Sequence, residues 1–177
     1  SRVRLYVSEA NPGAMAVAQV LQAGLDGRIE LTSNPQDVPA PRYRSTIVRH
    51  TVTRGKEAAR RSSVSVNLRS SRAAARATHF LLYLSDETFS STNATGEQFA
   101  DEVRKARSAA LPVVMVHEND PASHGCAFGH FFSTTPHDLI ESGLYRDLAV
   151  AYYPGAFRST STALVARKLG AVSVGSL

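Results

Sequence analysis

The sequence holds a single cysteine, Cys126, among 177 residues, so no disulfide can close within the chain. A reducing compartment is the simplest reading of that count, and a cytoplasmic location is expected. No apolar run approaches the ~20 residues that a membrane span requires, and no signal-peptide pattern opens the chain. The first residue is Ser1 rather than Met, which reads as a piece of a larger protein. Familiar catalytic and phosphate-binding signatures are absent too. The turn after the first apolar run, Ser8-Glu9-Ala10-Asn11-Pro12-Gly13, carries neither G-x-G-x-x-G nor a Walker lysine. No Gly-x-Ser-x-Gly elbow occurs, which argues against a serine hydrolase. What remains is ample for one ordinary domain: 43% of residues are hydrophobic and 20% charged. A chain of this length buries roughly 70% of the surface exposed when unfolded, and so needs no disulfide or structural metal.

Acidic residues are scarce in one place. Ten Arg and Lys fall between Arg42 and Arg76 against one acid, Glu57, for a net +9, while the rest of the chain sums to −4. The chain thus reads as one domain over 1–177, mildly acidic, with a basic insertion at about 42–76. That insertion has three readings: a solvated segment, a surface for nucleic-acid phosphates, or a self-assembly surface or dock for an acidic partner or anionic membrane, led by Arg42, Arg44, Arg60 and Arg61. Its only aromatic residue is Tyr43, so stacking on single strands is disfavoured, and an acidic protein surface or another copy of the chain is preferred over nucleic acid.

Along the chain, short apolar runs alternate with helix-like stretches. Strands are expected at 3–7, 28–32, 79–84, 111–116 and 148–153, with helices at 14–23, 98–109 and 159–169. A loop rich in proline is expected at 33–43, a helix at 68–77, and a helical turn around 138–142. The stretch 44–67 is open to a helix, a hairpin or a loop. His79-Phe80-Leu81-Leu82-Tyr83-Leu84 is almost continuously apolar, as suits a central parallel strand covered on both faces. The sum is a flavodoxin-like five-stranded parallel sheet with helices on both faces.

In such a sheet ligands gather beyond the carboxyl ends of the strands. Glu9, Ser85 and His117 occupy such positions, the last suited to acid–base chemistry. The turn holding Glu9 could offer backbone N–H groups to a phosphate or simply be a turn. Four of the six histidines fall between His117 and His137, beside Cys126. His124, Cys126 and His130 are the right kinds of zinc ligand, but their spacing fits no established zinc pattern and no metal is expected. The neighbouring Phe128, Phe131 and Phe132 point instead to a loop folded back into the core. Tyr152-Tyr153-Pro154-Gly155 ends the last strand, and the turn could either bring Arg158 to the site or merely end the strand.

The stretch from Phe80 to Pro121 carries a further signal. An apolar strand ends in Ser85, an aromatic follows at Phe89 with Ser90 and Ser91, and Phe99 precedes Asp101-Glu102-Val103. The next strand runs on into His117-Glu118-Asn119-Asp120-Pro121. This pattern resembles the central stretch of the TIR (Toll/interleukin-receptor) domain family. The resemblance implies a protein-interaction or self-assembly module of a larger intracellular signalling protein, pairing with itself or with other TIR-like domains. In the catalytic branch of that family a helix glutamate drives cleavage of the nicotinamide–ribose bond of NAD. By position that residue is Glu102, with Phe99 to stack on the nicotinamide and Ser85 to hydrogen-bond the substrate. The alternative function implied is therefore an NAD nucleosidase, with NAD as substrate and no cofactor. The alternative is that Glu102 is an exposed helix carboxylate paired with Lys105 or another nearby cation.

Overall fold

In the computed structural model the described residues are 2–41, 76–90 and 94–171. They build one sheet of five parallel strands in the order β2-β1-β3-β4-β5. The strands are β1 (Val3–Val7), β2 (Ile29–Thr32), β3 (His79–Leu84), β4 (Val113–Glu118) and β5 (Val150–Tyr152). The longer helices are α1 (Ala14–Gly24), α2 (Ala94–Ser108) and α5 (Arg158–Lys168), and the short α3 (Phe131–Thr134) and α4 (His137–Glu141) lie between β4 and β5. This is the flavodoxin-like order, in which the chain leaves β1 for one edge and returns to build the other.

Alternation along the strands separates two cores. Leu5, Val7, Leu81, Tyr83, Val114 and Val116 face one side, where Val17, Ala18 and Leu21 of α1 and Val165 and Ala166 of α5 cover them. Tyr6, Phe80, Leu82 and Met115 face the other, under Phe99, Ala100 and Val103 of α2 and Phe131 from α3. β3 is buried on both faces, which explains its unbroken apolar run.

Several boundaries differ from the sequence expectation. Helix α2 begins at Ala94, before Gly96, where a side chain would bring Cβ to 2.3 Å from the Ser90 carbonyl oxygen. Gly96 is therefore the residue that lets the β3–α2 loop lie against the first turn, not a helix breaker. Strand β4 starts at Val113 and runs through His117 to Glu118. The sequence ends this strand at 116, before the polar His117 and Glu118, yet these two pair with Ala151 and Tyr152 of β5. The proline-rich stretch after β2 holds one 3-10 turn, Pro35–Asp37, capped by the Asn34 side chain, which accepts from Gln36 N–H. The open stretch 44–67 and most of the helix expected at 68–77 lie outside the described residues. Among the described residues, no helix is long and apolar enough to cross a membrane.

Candidate functional site

Beyond Val7 a side chain continues the pairing of β1 with β3. The buried Asn11 amide donates to the Tyr83 carbonyl and accepts from the Tyr83 N–H, both at 2.9 Å. Thr88 Oγ1 donates to the same carbonyl at 2.9 Å and accepts from Ser85 N–H. The β1–α1 and β3–α2 loops are thus tied to one residue. Gly13 then starts α1 with φ +81°, and a Cβ there would lie 2.6 Å from Tyr83 Cε1. Only glycine combines that backbone angle with so close a ring.

The last residue of β4, Glu118, is 1% exposed and collects five hydrogen bonds. Its Oε1 accepts from Asn119 N–H (3.0 Å), Asp120 N–H (2.8 Å) and Arg158 Nη2 (3.1 Å). Its Oε2 accepts from Tyr83 Oη and Arg158 Nη1, each at 2.8 Å. Arg158, the first residue of α5, also stacks with its guanidinium carbon 4.1 Å from the Tyr152 ring centroid. Burial and the bond to Glu118 push the Tyr83 phenol well above its ordinary range, and Glu118 holds the Arg158 guanidinium in its charged form. Tyr83 therefore stays a proton donor. With every direction of the carboxylate engaged, Glu118 is a fixed anchor that ties the end of β4 to β3 through Tyr83 and to the start of α5 through Arg158.

Over this anchor opens a cavity of about 530 Å³, bounded by α1 and by the loops after β3, β4 and β5. The β4 loop reaches it through His124, which has φ +62°. The His124 carbonyl accepts from Asp86 N–H at 2.8 Å and its Nδ1 lies 3.2 Å from Asp86 Oδ1, so the β3 and β4 loops are joined twice. Gly125 permits this, since a Cβ there would meet the Asp120 backbone at 2.7 Å.

Of the residues singled out in the sequence, Ser85 lines this cavity, as does Arg158. The others lie elsewhere. Glu102 sits across the sheet, where Tyr6 Oη donates to its Oε2 at 3.0 Å and Gln98 Nε2 lies 3.4 Å from its Oε1. The expected partner Lys105 is not what it bonds. Phe99 is fully buried, with ring centroids 5.1 Å from Phe89 and 6.2 Å from Phe80. Its ring is core packing, which corrects the expectation that it lies open for stacking on a nicotinamide. Glu9 accepts from Ser33 Oγ at 3.3 Å. His117 points away from the cavity, between Phe128 and Phe131, with Nε2 2.7 Å from the Cys126 carbonyl. Ser85 and Glu102, paired by the resemblance, therefore occupy opposite faces of the sheet.

Among the described residues no three His, Cys, Asp or Glu side chains converge to hold a metal ion. The Cys126 thiol is raised by burial and by nearby Asp86, which disfavours a thiolate. Arg42, Arg44, Arg60 and Arg61 lie outside the described residues. Glu118 and Tyr83 were missed as site residues, although a signal existed: Glu118 is two and four residues from Val116 and Val114, hence on their face of β4. Compared with protein-family models, with curated proteins and with solved structures, the chain matches none.

Proposed function

We propose that the chain is a TIR-like module that self-associates, and that the open edge of β5 takes part in the contact. The observation that carries this reading is the concentration of exposed apolar side chains at that edge. Leu148 is 86% and Phe157 68% exposed, with Tyr153 and Leu164 half-exposed beside them. Tyr153, Phe157 and Leu164 line a groove of about 440 Å³ along β5 and α5. Among the described residues β5 pairs only with β4, leaving its outer backbone edge open to another chain. Charge favours a second copy as the occupant. The basic segment at 42–76 carries +9 and the remainder −4, so each copy offers the other an oppositely charged partner. Sedimentation of the chain over a range of concentrations tests this. The double variant Leu148→Asp/Phe157→Asp is expected to weaken association by about tenfold or more, as two buried apolar side chains would. Association unchanged in a folded double variant would remove β5 from the contact.

A second reading has its own support. Glu102 is only partly buried and is oriented by Tyr6, whose phenol is raised by burial and by Glu102 and so remains a donor. A carboxylate so held could stabilise the oxocarbenium-like state of NAD cleavage, as the resemblance implies for this position. Under this reading Glu102→Gln lowers NAD consumption by about a hundredfold or more. Glu97→Gln, earlier on α2 and paired with Arg104 at 2.8 Å, leaves turnover intact. Equal losses in both variants would sink the role of Glu102.

A further inference from the structure

The cavity above Glu118 is apolar on one side and acidic on the other. Ala16, Val17 and Val20 of α1 and the Tyr152 ring line the apolar side. Ser85, Glu87, Ser123 and His124 line the polar side with Glu118 and Arg158. Arg158 is the one arginine or lysine among the lining residues, but both Glu118 oxygens hold it and Asp120 lies 3.6 Å away. Its charge is therefore answered within the protein. Glu87 is exposed and has no ion pair among the described residues. His124 faces Asp86. With Glu118 matched by Arg158, Glu87 is the lining carboxylate left unanswered. Asp86 and Asp120 stand behind the lining at His124 and Arg158, so this end of the cavity carries an excess of negative charge.

That balance selects among ligand chemistries. The N-terminal end of α1 adjoins the cavity, but a phosphate or carboxylate placed there would also face the unanswered Glu87. A neutral hydrocarbon would fill the apolar side and leave the acidic side unanswered. A molecule with an apolar body and a cationic head satisfies both. The volume, about 530 Å³, lies in the range of small-molecule sites. We propose that this cavity binds a small organic amine, with its apolar body against α1 and Tyr152 and its ammonium group toward Glu87 and the Asp86–His124 pair. The site lies across the sheet from Glu102 and is separate from the outer edge of β5, so it stands or falls independently of the proposed function.

Tryptamine is a suitable probe because the chain contains no tryptophan, so indole emission reports on the ligand alone. The expected result is a saturable blue shift of tryptamine emission on titration with protein. Indole-3-acetate, with the same ring and the opposite charge, should bind about tenfold more weakly or worse. Glu87→Gln should weaken tryptamine binding about two- to fivefold, the scale of an exposed ion pair. Ala16→Phe, which fills the apolar side, should abolish it, with circular dichroism and thermal melting confirming the fold. Glu87 is exposed, so its variant remains informative if Ala16→Phe does not fold. No saturable shift, equal or tighter binding of indole-3-acetate, or tryptamine binding untouched by Glu87→Gln would each overturn the proposal.

Discussion

Glu118 is one residue from His117 in sequence and on the opposite face of the sheet in space. His117 packs its ring against Phe128 and Phe131, while Glu118 meets Arg158, Tyr83 and two backbone N–H groups. The pair shows how much a one-residue shift decides in a strand, since neighbouring side chains diverge to opposite faces. Polar residues at the end of an apolar run read most easily as loop, which hides the extra length of β4; once that length is known, the spacing from Val114 and Val116 gives the facing of Glu118. Replacing Glu118 by Gln turns two acceptors into one acceptor and one donor aimed at donors. It also leaves Arg158 without its countercharge. Because the Arg158 side chain retains 28% exposure, the expected cost is about 2–4 kcal/mol, between that of an unsatisfied buried polar group and that of a fully buried broken pair. Denaturant unfolding of Glu118→Gln measures it directly. A loss below that range would mean water replaces the missing partner.

At the scale of elements, the junctions carried more information than the elements themselves. The apolar spacing of Val17, Ala18 and Leu21 marked α1 correctly, and Asn11-Pro12-Gly13 marked the break before it. The reason for Gly13 emerged only from packing, because the residue it must clear, Tyr83, lies on another strand. Gly13→Ala adds a left-handed backbone penalty and a collision with a buried ring. We expect a loss of about 1–3 kcal/mol, read as a lower unfolding midpoint. Wild-type stability in Gly13→Ala would mean that the ring can withdraw at no cost. Helix α2 gives the opposite lesson. The sequence places its start at 98, whereas the helix begins at Ala94, because the loop passing over Gly96 makes that glycine part of the first turn. Arg104 on α2 binds Glu97 and Asp101 on its own helix and Asp138 on α4, tying a short helix to a long one. Only the first two partners follow from helical spacing.

For the whole molecule, the question is which surface drives association. An apolar contact at β5 and an ionic contact through the arginine-rich segment respond differently to salt. At about 1 M NaCl the screening length falls to about 3 Å, so ionic attraction between exposed groups is largely lost. Association through Leu148 and Phe157 is expected to persist there, as followed by light scattering. Dissociation at high salt would move the contact to the segment between Arg42 and Arg76.

The sequence by itself determined the α/β class, the parallel strands and the two-sided covering of the sheet. Those follow from local facts: β-branched runs, helical spacing and the continuous apolar character of β3. Only the tertiary structure decided which chemistry meets. Tyr83, Glu118, Tyr152 and Arg158 come from two strands, a strand end and a helix start, and nothing local in the chain links them. They converge because parallel strands align their carboxyl ends and the pleat turns every second side chain to the same side. Ser85 lies just past β3 on the cavity side, whereas Glu102 rides on α2, which covers the opposite face where Tyr6 points. The side on which a polar residue stands is set by strand register, and register is a property of the whole sheet.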